Sequence, residues 1–245
     1  MLLRRDGDDV IAIGQPAHAW LSGQLARAWG NEAFGAVDPW EEVCLAAEQH
    51  DIGMAAWEGR PSFNPETGLP RSFMELTLDE HLGMWSAAAG LVIPQSRYAA
   101  LLVSMHGTAL YELRDLRRMG ERDADRVRAF MAAQLALQSE LRGSLGADEA
   151  QVRRNQRLVW TWDSLSLGLL LGWAPYEQRA VPTAGEPVDI AVGDGTLDPW
   201  PFAGPRVALR CEGRRLRGPY PDEAAMHLAL AAAPWETIAV ELRTA

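Results

Sequence analysis

Placed on a 3.6-residue wheel, a small group of ionisable side chains falls on apolar helix faces. Asp163 has Val159 and Trp160 behind it and Leu167 and Leu170 ahead. His106 shares its face with Leu102, Val103, Leu110 and Leu113, His81 with Leu78, Met84 and Trp85, and His18 with Leu21 and Leu25. His50 and Asp51 follow Val43, Ala46 and Ala47 at the end of their helix. An unpaired charge in such surroundings costs on the order of several kcal/mol, whereas a divalent cation turns the same groups into satisfied ligands. A lone histidine on an apolar face is more often a hydrogen-bonded core residue than a ligand. His227, flanked by Ala224, Leu230 and Ala231, is read in that way. For the others, the conjunction of His18, His50, His81 and His106 with Asp51 and Asp163 points to metal ligation.

The elements that carry these residues are mostly helical. Pro16 at a first-turn position opens a helix that Gly30 closes. Asp38-Pro39-Trp40-Glu41 reads as an N-cap carboxylate, N1 proline and capping-box glutamate for a helix to about His50. Thr77-Leu78-Asp79-Glu80 is a second capping box, for a helix to about Val92, and a long helix follows Ser96 as far as Met119. Two more are expected at about Ala124–Arg142 and Glu149–Leu171. Gly59 to Pro70, interrupted by Pro61, Pro65 and Gly68, is a loop. The start, Leu2–Arg5 and Val10–Ile13 around Asp6-Gly7-Asp8, reads as a hairpin. After Trp173, prolines separate short β-like runs at Val188–Val192, Arg206–Cys211 and Thr237–Leu242, with a helix at Asp222–Ala232. The reading is therefore a mostly α protein. A helical metal-binding domain spans residues 1–175, including the hairpin at 1–14, and a small α+β appendage at 176–245 packs on it, its strands pairing with the hairpin.

The ordered set His18, His50-Asp51, His81, His106 and Asp163 resembles the HD superfamily of metal-dependent enzymes, whose signature is H…HD…D. The most specific fragments are Gln49-His50-Asp51-Ile52-Gly53, where the dipeptide ends a helix, and Asp163-Ser164-Leu165-Ser166. The extra His81 and His106 resemble the branch that holds two metals. Across nearly its whole length, including Asp198-Pro-Trp-Pro-Phe202, the chain also resembles a bacterial family of proteins of unknown function, DUF3891. The HD resemblance implies an HD-like helical bundle in which His18, His50, Asp51 and Asp163 hold one ion. Asp51, the catalytic carboxylate, then bridges to a second ion bound also by His81 and His106. Imidazole-rich, thiolate-free ligation suits two divalent ions of Fe, Mn, Co, Ni or Zn.

The chemistry this resemblance implies is first hydrolysis of a phosphoester by a metal-bridging hydroxide, with arginines steadying a small anionic substrate. Arg60 and Arg71, in or beside the Pro/Gly-rich loop, and Trp57, which opens it, are the candidate substrate contacts. Many HD phosphohydrolases read HDxGK, and here Met54 stands at the lysine position. The two-iron HD oxygenases, acting on polyols or phosphonates, share the ligand order and form the alternative. A non-catalytic metal-binding module is the third reading. Glu48 and Glu58 are possible outer partners for ligand histidines. The ten tryptophans, Trp20, Trp29, Trp85 and Trp160 among them, fit core packing better than a carbohydrate surface.

Composition removes other classes. All 23 basic residues are arginine, which excludes P-loop, protein-kinase and Schiff-base chemistry, since each needs a lysine amine. A net charge of −10 without a basic cluster argues against nucleic-acid partners. Cys44 and Cys211 are too far apart to suggest a zinc knuckle or a disulfide framework. With neither an apolar leader segment nor a membrane-length apolar run, a cytoplasmic protein without membrane partners is expected.

Overall fold

The computed structural model describes residues 1–245. The chain opens with β1 (Leu2–Asp6) and β2 (Asp9–Ile13), which turn at Gly7 with φ 61°. The helices α1 (Gln15–Ala28), α2 (Trp40–Gln49), the short α3 (Ala55–Glu58), α4 (Leu78–Val92), α5 (Arg97–Glu112), α6 (Glu121–Leu145) and α7 (Glu149–Leu171) follow. A two-stranded hairpin, β3 (Phe63–Asn64) and β4 (Leu69–Pro70), lies between α3 and α4. The chain closes with β5 (Tyr176–Val181), β6 (Val188–Val192), β7 (Thr196–Asp198), β8 (Arg206–Leu216), α8 (Glu223–Ala232) and β9 (Trp235–Thr244).

The expectation of a mostly α, HD-like bundle with an all-α body and a small appendage is overturned by the sheet. Seven strands join in the order β1-β2-β8-β9-β7-β6-β5, antiparallel except for the β7–β9 pair. The N-terminal hairpin enters it through β2, whose Ile11 and Ile13 lie opposite Arg215 and Gly213 of β8. One hydrophobic core runs through both layers, uniting Ile11, Ile13, Leu209, Ile238 and Leu242 of the sheet with Leu21, Leu25, Leu101 and Trp162 of the helices. The sheet is half of a common core. Its extent is hidden because its inward residues alternate with charged ones. In β8, Leu209, Cys211, Gly213 and Leu216 are buried while Arg210 and Glu212 face outward, the pattern of an antiparallel strand with one wet face. The apolar-run reading stopped at Cys211 for that reason.

Local signals place the helices. Thr77 and Glu80 form the reciprocal capping box of α4. Asp148 caps α7, and Gly172, left-handed at φ 69°, ends it. Asp38 does not cap α2: its carboxylate accepts from the Gln151 amide instead, tying the start of α2 to α7. The helix expected through Met119 stops at Glu112, and a 3₁₀ turn at Leu116–Arg118 follows, where Asp115 accepts from the Arg117 backbone N–H. Trp29 and Trp85 are buried as core spacing suggests, but Trp20 is 47% exposed. No helix is long and apolar enough to cross a membrane.

Candidate metal centre

Four helices and one turn bring the polar residues together. His18 lies in α1, His50 caps the end of α2, Asp51 begins the turn after it, His106 is in the middle of α5 and Asp163 in the middle of α7. The turn sits close against α4: a Cβ on Gly53 would stand 2.3 Å from the Met84 carbonyl oxygen, so the residue two after Asp51 has room only as glycine. All five side chains are buried, Asp163 being the most accessible at 8%.

His50 Nε2 is the hub. It stands 3.2 Å from His18 Nε2, 3.4 Å from Asp163 Oδ1 and 3.5 Å from Asp51 Oδ2. His18 Nε2 is 3.0 Å from Asp163 Oδ1 and 3.6 Å from Asp51 Oδ2, and His106 Nε2 is 3.7 Å from Asp163 Oδ2. Two overlapping ligand groups result, His18-His50-Asp163 and His50-Asp51-His106, each with its ligand atoms within 4.8 Å of one another.

The ring orientations are set from outside. His50 Nδ1 donates to the Ala47 carbonyl at 2.8 Å, which leaves Nε2 facing the cluster. His18 Nδ1 meets Ser166 Oγ at 2.7 Å, and Ser166 Oγ also reaches the Asp163 carbonyl at 2.9 Å and Ser22 Oγ at 2.8 Å. A hydroxyl can accept from Nδ1–H or donate to Nδ1, so Ser166 supports either tautomer of His18. The candidate outer partners Glu48 and Glu58 are engaged elsewhere: Glu48 pairs with Arg27, and Glu58 binds the Met1 amine and the Gln15 backbone N–H. Ser166 and the Ala47 carbonyl were not foreseen as supports. The i+3 spacing of Ser166 from Asp163 is the only sequence signal for the first, and a backbone carbonyl has none.

Acceptors crowd acceptors here, and only positive charge reconciles them. Burial works against a charged His50, but the Asp51 carboxylate and the bond to Asp163 overcome it and raise the imidazole to about 9. Burial also works against the Asp163 carboxylate, yet bonds from His18 and His50 and the His50 charge hold it well below the usual range. His106 is the reverse case. Burial pushes it down to about 4, its Nδ1 is buried without a partner, and its Nε2 is beyond hydrogen-bond reach of Asp163.

These features fit a cation. Donor atoms held about 2.1 Å from one ion lie about 3.0–3.4 Å apart in octahedral or tetrahedral arrangements, close to the separations around His50. A divalent ion would neutralise Asp51 and Asp163 and occupy the otherwise unbonded His106 Nε2. Three imidazoles and two carboxylates without thiolate match a first-row transition metal.

His81 is not brought to the cluster. Its Nε2 accepts from the Trp85 indole N–H at 3.2 Å, so its Nδ1 carries the proton and donates to the Tyr111 hydroxyl. Burial and the nearby Arg114 lower it to about 4, keeping it neutral. Trp85 lies between His81 and His106, with ring centroids 6.1 and 5.4 Å from them. The set Asp51, His81 and His106 expected around a second ion is therefore not assembled.

Nor do the predicted substrate contacts bond to cluster residues. Arg60 lines a cavity of about 810 Å³ between α1 and the sheet, together with Trp20, Arg214 and Trp235. The charge of Arg71 acts on Glu75, and Trp57 is half-buried with its indole N–H unpartnered. The loop carrying them docks on the C-terminal segment, Tyr220 N–H donating to the Gly68 carbonyl, and His227 bonds to the Pro61 carbonyl.

A family model described as "Protein of unknown function (DUF3891)" matches residues 1–218. No curated protein matches the chain, and no solved structure does.

Proposed function

The chain belongs to the DUF3891 family, whose description names no activity; from its site we propose that it is a metal-dependent hydrolase of a small phosphoester, its ion held by His18, His50, Asp51, His106 and Asp163. The observation that carries this reading is the pair of ligand groups that share His50, His18-His50-Asp163 and His50-Asp51-His106, in which His50 Nε2 stands 3.2 Å from His18, 3.4 Å from Asp163 and 3.5 Å from Asp51. The order of these residues along the chain resembles the HD superfamily, and the proposal places the centre, without the all-helical scaffold, among centres of that type.

A divalent ion in this position supplies Lewis acidity toward a phosphoryl oxygen and lowers the pKa of water. The chain's own residues prepare the site for it. Asp51 and Asp163 offset the charge of the ion. The Ala47 carbonyl fixes the His50 tautomer, and Ser166 adapts its hydroxyl to His18. Trp85 and Trp160 lie against the His106 ring, at 5.4 and 5.5 Å, and keep bulk water from that side. Asp163 is the most accessible of the five ligands, at 8%. Asp51, held at the turn after α2, approaches His18 and His50 through Oδ2, and its second oxygen would orient the attacking water.

The two-iron oxygenase reading draws on the six-residue set, and it is less favoured because both ring nitrogens of His81 are engaged by Trp85 and Tyr111. The test is metal analysis of anaerobically purified protein, followed by a phosphoester screen and an oxygen-uptake assay. Phosphate release that needs a divalent ion and disappears in His50→Ala supports the proposal. Bound iron with oxygen consumption and no phosphate release overturns it.

A further inference from the structure

A second cavity is bordered by Trp160. Its volume is about 470 Å³, and its walls include Thr108, Glu112, Gln138, Gln156, Arg157 and Trp160 from α5, α6 and α7. That is the size of a small-molecule pocket. Trp160 is a shared partition, since its ring is also packed on His106 with centroids 5.5 Å apart.

Arg157 stands out among the lining residues. It is half-buried and forms no ion pair with any carboxylate, whereas Arg153 beside it is paired with Glu149. Its guanidinium is instead clamped by backbone: Nε donates to the Ala180 carbonyl at 3.1 Å and a terminal nitrogen to the Arg179 carbonyl. Those carbonyls are presented by an irregularity in β5, where the register against β6 shifts between Gln178 and Val181. Ala180 there has φ 51°, the one non-glycine residue of the chain with positive φ, and its N–H donates to the Asp189 carboxylate at 2.7 Å. A left-handed alanine is strained, and strain of this kind persists where surrounding structure over-determines it. Here it aims two successive carbonyls at one guanidinium. The remaining N–H donors of Arg157 have no protein acceptor, and burial lowers its pKa in keeping with an uncompensated cation. The polar wall opposite is likewise fixed. Gln138 donates to Ser104 and Thr108, and Ser104 donates to Gln134.

We propose that this cavity binds an anionic ligand of the phosphate or similar oxyanion class, with Arg157 as its binding residue, apart from the metal centre across Trp160. The site does not depend on the metal-hydrolase reading. Glu112 is the opposing charge in the cavity and restrains affinity.

The test uses the full chain purified with its metal, with inorganic phosphate as probe, followed by calorimetry and by tryptophan fluorescence. Saturable binding is expected in the wild type. Arg157→Gln weakens it roughly tenfold to a hundredfold, as loss of charge-assisted hydrogen bonds requires, without changing metal content. Glu112→Gln tightens it, a change of opposite sign that loss of folding cannot mimic. Trp160→Phe removes the fluorescence response but retains binding by calorimetry. Arg60→Gln, in the other cavity, leaves it unchanged. Undiminished binding in folded Arg157→Gln overturns the proposal, as does the absence of saturable binding in the wild type. If His50→Ala alone abolishes phosphate binding, the anion sits on the metal centre and this inference fails while the metal reading survives. If the protein carries no metal yet Arg157→Gln abolishes binding, the metal reading fails and the anion site stands.

Discussion

Removal of divalent ions by chelation leaves His50 to balance the two carboxylates alone, and the stability of the metal-free protein then depends on pH in a defined direction. The His50 ring faces His18 from α1, Asp51 from its own turn, His106 from α5 and Asp163 from α7. Against the opposing effect of burial, the carboxylates raise it from 6.5 to about 9. A base whose folded pKa is raised binds its proton more tightly in the native state, so its contribution is complete below pH 6.5 and is lost as pH rises through 9. The shift corresponds to about 3 kcal/mol, a large part of a domain's net stability, and to a urea midpoint lower by about 1 M at the alkaline end. Burial holds the Met1 amine below its ordinary range, a contribution of opposite sign, while the buried Cys44 and Cys211 thiols are pushed up to about 11. The measurement is therefore the difference between wild type and His50→Gln, in urea unfolding followed by tryptophan fluorescence from pH 6 to 9. The wild type should lose stability relative to the variant across that range, and saturating divalent ion, which takes the place of the Nε2 proton, should flatten the loss. Parallel curves for the two proteins, or a His50 ring that titrates near 6.5 by NMR, would refute the electrostatic account of the cluster.

Three further outcomes follow from the geometry. Alanine at His50 or Asp51 should lower bound metal several-fold in elemental analysis, while alanine at His81 or His227 leaves it unchanged; a loss at His81 equal to that at His50 would mean that a second ion is held after all. Ser166→Ala removes the partner of His18 Nδ1 and should weaken metal affinity roughly 10- to 100-fold in a competitive chelator titration, the usual effect of losing an outer-shell support, whereas unchanged affinity would show that Ser22 or water replaces it. Gly53→Ala places a Cβ 2.3 Å from the Met84 carbonyl and should cost about 2 kcal/mol or more in thermal unfolding, with metal content falling as the Asp51 turn is displaced.

The helices were legible because their signals are local. Thr77 and Glu80, Asp148, and Pro16 each act within a few residues, and the helices they open begin where those residues place them. The sheet was not legible in the same way. β2 pairs with β8 across roughly two hundred intervening residues, and nothing within a short window of either strand specifies the other. The hairpin's need for a partner was foreseeable from its unpaired edge, but the number of strands that would join it was not. β5 and β7 are short and bounded by proline or glycine, so neither presents an apolar run, and of β8, which carries arginines on outward positions, only Arg206–Cys211 reads as a strand.

For the site, periodicity reports which face of a helix a residue occupies but not what stands in front of it. His81 and His106 both lie among apolar neighbours, and the resemblance implies that both hold the second ion. Within the fold the separation between them is one indole: Trp85, one turn after His81 in α4, is admitted close to α5 because Gly107 has no Cβ to meet its ring, which would otherwise come within 2.8 Å. Once there, its N–H satisfies His81 Nε2, and its ring covers His106. Burial keeps both histidines neutral, and they differ in their hydrogen bonds. Both ring nitrogens of His81 are engaged, whereas the buried Nδ1 of His106 lacks a partner and its Nε2 faces carboxylates it does not touch. A bound cation at Nε2 would use the lone pair that His106 has free, with the proton on Nδ1, whereas the Nε2 lone pair of His81 is already taken by the Trp85 indole N–H. The distinction between ligand and core residue therefore lies in the unspent hydrogen-bonding capacity of each ring, a property of tertiary contacts that spacing along a helix does not encode.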